Sequence, residues 1–344
     1  MPCPRPHGYT RPVEVRAFLT GATGFLGSRV LERMLARGYQ VRALVRQTSD
    51  SFGLTRPGVE LVHGELGSFD REGDGVLAEA LEGCAIVVHA GARVETSGQW
   101  DLFHKANVEG THQLLATARK VGVGRFVHVS SLGIFDIPAS GVRVGVDTDY
   151  DHEPRLRGHY TRSKIHADRV VAAAIRLGAP AVIVRPGILY GPGRPLYRGR
   201  VSRGLGSILL VVVGSADYRP PLCYVDNAAD AVMQAAEQPG ANGGMFNVVD
   251  DPDLTHERYF RLLAARSGMA SRVLFVPVSM LAPALKAVET AFKLLGRRRW
   301  APAYQLRRAG RNAIYETDAA TGTLAWHPAV GLDEALERSV EGAA

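Results

Sequence analysis

Apolar residues along the chain follow two alternating rhythms. Short runs with few polar interruptions recur at Arg16–Thr20, Gln40–Val45, Val59–His63, Ile86–His89, Arg125–Ser130 and Ala181–Arg185, as expected of strands buried on both faces of a parallel sheet. Between them lie longer stretches whose apolar residues sit three and four apart. Ser28–Arg37 places Val30, Leu31, Met34 and Leu35 on one face and stops at Gly38, which predicts a helix ended by glycine. Val76–Glu82, Ala106–Val121 and His159–Leu177 repeat the design. A strand-helix-strand order of this kind predicts an α/β fold with a doubly wound parallel sheet, whose ligands bind beyond the carboxyl ends of the strands.

After Arg185 the rhythm breaks at Pro186, Pro192 and Pro195, and seven glycines lie between Gly187 and Gly214 inclusive. The expected organisation is an extension over 1–15, a nucleotide-binding domain over 16–190, and a smaller, mainly substrate-binding C-terminal lobe over 191–344. Chain returns to the first domain are expected near 220–250. Pro220–Gln238 reads as a return ending in a helix and Gly244–Val249 as one more strand. Thr255–Ser267 and Ser279–Leu295 read as lobe helices.

At 344 residues, with 46% hydrophobic and 22% charged residues, the chain is a globular protein rather than a disordered or fibrous one. The formal charge of +7 comes mostly from dispersed arginines, with no basic stripe or nucleic-acid motif; an anionic cofactor or a membrane surface accounts for it as well. Cys3, Cys84 and Cys223 lack the spacing of a disulfide framework or a zinc site, so no metal is expected and a reducing cytoplasm is the default location. Residues 1–15 lack the apolar run of a secretory signal. Leu281–Leu295 followed by Arg297, Arg298, Arg299 and Trp300 reads first as a lobe helix with a solvated charged end, with peripheral membrane contact as the second reading.

The first strand runs into Gly21-Ala-Thr-Gly24-Phe-Leu-Gly27, and a helix pattern follows at once. In that context Gly21 permits a tight turn, Gly24 lets a diphosphate approach the backbone, and Gly27 lets the helix pack on the strand. The helix N-terminus then faces the phosphates. About 20 residues on, where an acid would hold the ribose 2′-hydroxyl of NAD, the second strand ends at Arg46. A cation there favours a 2′-phosphate and hence NADP(H) over NAD(H).

Tyr160 and Lys164 lie four apart on one helix face, and the fifth strand ends at Ser130-Ser131. A hydroxyl at that strand end can polarise a carbonyl. A phenol beside an ammonium and an oxidised nicotinamide can move a proton, because those cations favour phenolate. Strand alternation points the two serines oppositely, and Ser131 is the one expected in the pocket. His89 reads as a structural histidine.

Taken together with His63-Gly-Glu-Leu66, Val88-His-Ala-Gly-Ala92, Asn107-Val-Glu-Gly-Thr111, Arg185–Pro192 and Tyr224-Val-Asp-Asn-Ala228, these segments resemble the extended short-chain dehydrogenases/reductases. The likeness is to the 3β-hydroxysteroid dehydrogenase-like and NAD-dependent epimerase/dehydratase families and runs from about Arg16 to Leu336. The resemblance implies a Rossmann fold and a catalytic set of Ser131, Tyr160 and Lys164, with Asn107 orienting the lysine through a water. It places Gly21, Thr23, Gly24, Phe25, Leu26 and Gly27 along the cofactor, with Arg46 at the ribose phosphate, Glu65 and Leu66 by the adenine, and Ala90, Gly91 and Ala92 further along. Tyr160 and Lys164 would meet the nicotinamide ribose, and Pro186, Gly187 and Ile188 the carboxamide. A homodimer through Ala106–Val121 and Tyr160–Leu177 is also implied.

Two positions depart from the family pattern: Glu65 replaces the commoner aspartate, and Gly91 interrupts an alanine-rich run. Leu132 and Gly133 stand where sugar dehydratases carry an acidic pair, which argues against dehydration. The expected activity is NAD(P)-dependent interconversion of a secondary alcohol and a ketone on a hydrophobic, steroid-like or long-chain substrate. The competing readings are a nucleotide-sugar epimerase or reductase, for which Arg194, Arg198, Arg200, Arg203 and Arg219 would supply diphosphate contacts, and a non-enzymatic nucleotide sensor.

Overall fold

The computed structural model describes residues 15–69, 75–95, 98–197, 202–205, 209–267, 272–277 and 311–342, with isolated positions between 280 and 290. Seven strands form one wholly parallel sheet: β1 (Arg16–Thr20), β2 (Gln40–Val45), β3 (Val59–His63), β4 (Cys84–His89), β5 (Arg125–Val129), β6 (Ala181–Pro186) and β7 (Met245–Val248). Their spatial order is β7-β6-β5-β4-β1-β2-β3. The order reverses between β1 and β4, where Thr20 and His89 are register partners at the carboxyl ends. A crevice opens at such a switch point.

The central strands are almost wholly buried because helices cover both faces. On one side α1 (Phe25–Ala36) packs against a later helix, Val225–Glu237, burying Val30, Leu31, Met34, Ala228 and Val232. On the other side lie α2 (Val76–Leu81), α3 (the continuous run Trp100–Phe103, His104–Glu109 and Gly110–Lys120) and α4 (His159–Arg176). These bury Leu77, Leu114, Leu115, Ala118, Val171 and Ala172. The third helix begins at Trp100, earlier than the expected Ala106, because His104–Glu109 is π-helical. The wider turn spaces Phe103 and Val108 five apart on the buried face and hides the helix from a search for a period of 3.6.

The helix Val225–Glu237, α5, is anchored to α1 by Arg33, which meets Asp226 at 3.2 Å and Asp230 at 2.9 Å. β7 then extends the main sheet beside β6. Beyond it α6 (His256–Ser267) closes a separate core of Tyr190, Leu210, Val212, Tyr259, Phe260 and Leu336, under the strands Ser202–Leu205, Leu209–Val213 and Arg272–Val276. The chain returns once more: α7 (Asp318–Leu324) and Trp326 join the core of the main sheet, and the Trp326 indole donates to the Asn227 carbonyl at 3.0 Å. The last helix, α8 (Leu332–Glu341), packs beside α6. Among the described residues no helix is long and apolar enough to cross a membrane. Most of the segment Leu281–Trp300 lies outside the described residues.

Candidate active site

A cavity of about 660 Å³ opens at the carboxyl ends of β1, β4, β5 and β6. Its walls contain Gly21, Thr23, Gly24, Phe25, Leu26 and Gly27, then Arg46, Glu65 and Leu66, then Ala90, Gly91 and Ala92, and finally Ser131, Tyr160, Lys164, Pro186, Gly187 and Ile188. Of the catalytic and cofactor residues that the resemblance implies, Asn107 stands back from it, although its neighbour Ala106 lines it.

The glycine loop has the shape of a cradle that side chains would fill. Gly21 has φ +79°, and a Cβ there would lie 2.7 Å from the Gly91 nitrogen. At Gly27 a Cβ would fall 1.9 Å from the Gly21 carbonyl oxygen. The first turn of α1 has no acidic residue and its cap makes no side-chain hydrogen bond, so the orphan N–H groups of the helix start are available to an anion. A dinucleotide fits this cradle.

Gly91 is explained by the same close approach. Its N–H donates to Thr20 Oγ1 at 2.9 Å, and a Cβ would lie 2.8 Å from that oxygen. Thr20 Oγ1 lies 2.8 Å from His89 Nδ1, and His89 Nε2 lies 2.9 Å from Thr111 Oγ1. Thr111 spends its single proton on the Asn107 carbonyl at 2.6 Å, so Nε2 carries the histidine proton and Nδ1 accepts from Thr20. Burial, reinforced by Lys164, pushes His89 down to about 3. It is a neutral structural histidine linking the end of β1 to the helical turn that follows the π-helical segment.

The Asn107 side chain is engaged on both sides. Its oxygen accepts from Arg93 N–H at 2.7 Å, and its amide donates to the Arg93 carbonyl at 3.0 Å and to Ser163 Oγ at 2.8 Å. It therefore ties the loop after β4 to the turn of α4 that carries Tyr160 and Lys164. Lys164 Nζ donates to the Val129 carbonyl at 2.6 Å, at the end of β5. Burial lowers the ammonium to about 8, against the raising effect of Asp168.

Ser130 and Ser131 both belong to the cavity wall, but the Ser130 Oγ is buried and finds no hydrogen-bond partner among the described residues, whereas Ser131 is half-buried. Ser131 caps the short turn Leu132–Ile134, its Oγ accepting from Gly133 N–H at 3.1 Å, and its proton stays available for a substrate oxygen. Tyr160 differs from expectation in this state: burial pushes the phenol up from its ordinary value, and the main opposing charge is Arg194 rather than Lys164.

Several wall residues have no local signal in the sequence. Arg157 bonds Asp151 at 2.5 Å and the Gly133 carbonyl at 3.1 Å, bracing the turn after Ser131. Tyr218, Pro221 and Tyr315 arrive from distant parts of the chain and, with Val94, Leu132 and Ile137, give the cavity apolar and aromatic walls. Pro221 sits so close that a Cβ on Gly187 would fall 2.1 Å from its carbonyl oxygen.

Residues 17–248 match the model of the NAD dependent epimerase/dehydratase family. The chain is 28% identical over 326 residues to the 4-hydroxy-2-methyl-3-oxo-4-farnesyl-3,4-dihydroquinoline-1-oxide ketoreductase of Stigmatella aurantiaca, covering 94% of this chain and 95% of that one. It is 26% identical over 343 residues to a 2-alkyl-3-oxoalkanoate reductase of Shewanella oneidensis, covering 94% and 84%. The crystal structure of gox2253 superposes with a TM-score of 0.78 at 26% identity, covering 96% of this chain and 97% of that one. With the glycine cradle, the parallel sheet and the serine-tyrosine-lysine set in one crevice, the chain belongs to the NAD dependent epimerase/dehydratase family, within the extended short-chain dehydrogenases/reductases.

Proposed function

We propose that the protein is an NADP(H)-preferring oxidoreductase that interconverts a secondary alcohol and a ketone on a hydrophobic substrate. The observation that carries this reading is the placement of Ser131, Tyr160 and Lys164 in the same cavity as the glycine cradle. Bound nicotinamide supplies or accepts the hydride. Ser131 donates its free proton as a hydrogen bond to the carbonyl oxygen and steadies the charge that grows there. Tyr160 delivers the proton to that oxygen in reduction and removes it in oxidation. Lys164, held against β5, orients the cofactor ribose and favours phenolate. Arg46, exposed at the end of β2 on the cavity wall, takes the 2′-phosphate, with Glu65 and Leu66 beside the adenine.

The apolar wall of Val94, Leu132, Ile137, Tyr218 and Tyr315 supports a lipid-like substrate, in keeping with the farnesyl- and alkyl-bearing ketones named for the relatives. The alternative, a nucleotide sugar, needs free cations for a second diphosphate. Arg219 is already opposite Asp253 at 3.6 Å, and the side chains of Arg198, Arg200 and Arg203 lie outside the described residues.

The test is a fluorescence titration of the purified protein with NADPH and NADH, after its bound nucleotide has been measured, followed by assays on long-chain β-keto acids and steroid ketones. NADPH-dependent reduction is the expected result. Stoichiometric retained NAD⁺ with turnover of a UDP-sugar would overturn the reading.

A further inference from the structure

Arg194 belongs to the turn after the strand Ile188–Tyr190 and is an exposed residue of the cavity wall. Its guanidinium carbon lies 4.9 Å from the centre of the Phe25 ring, and Phe25 is the first residue of α1, directly after Gly24 of the cradle. The backbone holds the turn in place. Gly191 has φ +148°, and a Cβ there would lie 3.4 Å from the tip of Phe25; Arg194 N–H donates to the Gly191 carbonyl at 3.2 Å. Arg194 is thus carried to the glycine loop by a residue that only glycine accommodates easily.

The charge arrangement there is unbalanced. The start of a helix carries partial positive charge, and a cation beside it is unfavourable. Among the described residues Arg194 has no carboxylate partner, and the acids on the cavity wall are Glu65 and Glu95. Glu95 is paired with Arg93 at 2.5 Å, and Glu65 stands on the wall beside Gly64, at the end of β3. A guanidinium and a helix N-terminus facing one space favour an anion between them, held by the fork of the arginine on one side and backbone N–H groups on the other.

We propose that Arg194 is a phosphate-binding residue that closes the open side of the glycine cradle onto the diphosphate of the dinucleotide. This rests on the oxidoreductase reading for the identity of the ligand, and it assigns Arg194 to the cofactor rather than to the diphosphate of a sugar nucleotide. A cofactor thereby touches both bodies of the protein, the loop after β1 and the turn that leads into the second lobe. The same guanidinium acts electrostatically on Tyr160, so its neutralisation by phosphate is felt at the phenol.

The experiment compares wild type, Arg194→Ala and Arg194→Lys in NADPH titrations, and in displacement of NADPH by ADP-ribose, which has the diphosphate, and by adenosine 2′-monophosphate, which lacks it. Arg194→Ala should weaken NADPH and ADP-ribose by about tenfold or more, the scale of a lost charge-assisted pair, and leave adenosine 2′-monophosphate within about twofold. Lysine should restore part of the loss, since it returns the charge without the fork. Unchanged NADPH affinity in a folded Arg194→Ala protein overturns the proposal, as does an effect confined to the KM of the ketone, which would put Arg194 on the substrate. A wild type that binds neither NADPH nor NADH defeats the oxidoreductase reading instead.

Discussion

Asp168 and Arg185 form a forked ion pair, with 2.8 Å and 3.1 Å contacts, one helical turn beyond Lys164. Both side chains are essentially inaccessible, and the pair is completed by Tyr150, which donates to Asp168 at 2.8 Å, and by the Val146 carbonyl, which accepts from Arg185 at 2.8 Å. Removing one member leaves the other charge buried, so Arg185→Met should lose about 3–5 kcal/mol of stability in urea denaturation. Asp168 also holds the Lys164 ammonium up against burial. Asp168→Asn should therefore move the alkaline limb of the activity profile to lower pH, a change that a purely structural role would not produce.

His89 and His128 are buried neutral beside one another, with ring centres 5.4 Å apart. Burial pushes both below the ordinary histidine range, His89 to about 3 and His128 well down. An unfolded histidine takes up its proton near pH 6.5, so the unfolded chain binds more protons than the folded one between that value and the folded pKa. The stability from these groups is complete above pH 6.5 and falls with acid at about 1.4 kcal/mol per pH unit for each histidine. Neither ring nitrogen of His128 has a hydrogen-bond partner among the described residues. His128→Phe should fold and flatten the acid side of a stability-pH curve measured from pH 6.5 to 4; an unchanged slope would show that His128 is not buried neutral.

The parts of this architecture legible in the sequence are those whose information is local. Continuous apolar runs disclosed the strands, and the cradle Gly21–Gly27 announced itself because turn, approach and packing each demand glycine at a fixed spacing. The start of α3 was hidden, since the π-helical turn His104–Glu109 interrupts the helical period. The second core at Tyr190, Tyr259 and Phe260 is assembled across the chain, so the sequence disclosed its helix Thr255–Ser267 but not the strands and Tyr190 that it meets. Arg194 looked like one cation among many, because only the fold brings it to Phe25. Asp168 and Arg185, one on α4 and one on β6, likewise have no motif to pair them. Gly91 looked like a blemish in the family pattern and became intelligible once Thr20 was seen against it.

Arg46 is the residue on which the choice between cofactors turns. Its side chain is exposed on the cavity wall beside Ser49 and Gly64, where a 2′-phosphate can be met by a guanidinium fork. Arg46→Asp should lower NADPH affinity by about tenfold or more and improve NADH, because an acid there accepts from the ribose 2′-hydroxyl. Paired titrations with the two cofactors check this; equal losses for both would remove Arg46 from the 2′ position.

Tyr160→Phe removes the proton carrier and little else, since the ring remains to fill its place at the head of α4. The expected result is NADPH affinity within about threefold of wild type and a fall in kcat of two orders of magnitude or more, the usual range for losing a general acid. Undiminished turnover would defeat the role given to Tyr160.

Gly91→Ala tests the contact at the switch point of the sheet. The new methyl group would press on Thr20 Oγ1 and Cβ, at 2.8 Å and 3.1 Å, and must displace the hydroxyl that serves His89 Nδ1. Overpacking of a filled site costs about 1–3 kcal/mol. Thr20→Ala removes the same hydroxyl directly and leaves the histidine nitrogen unpaired, a loss of similar size. If both act through one hydrogen bond, the double variant Thr20→Ala/Gly91→Ala gains room for the methyl group and cannot lose that bond twice. Its destabilisation should then fall well short of the sum of the single ones, as expected for residues in direct contact. Additive losses in a double-mutant cycle, read by urea denaturation, would mean that the alanine is accommodated without moving Thr20 and that the close approach does not explain the glycine.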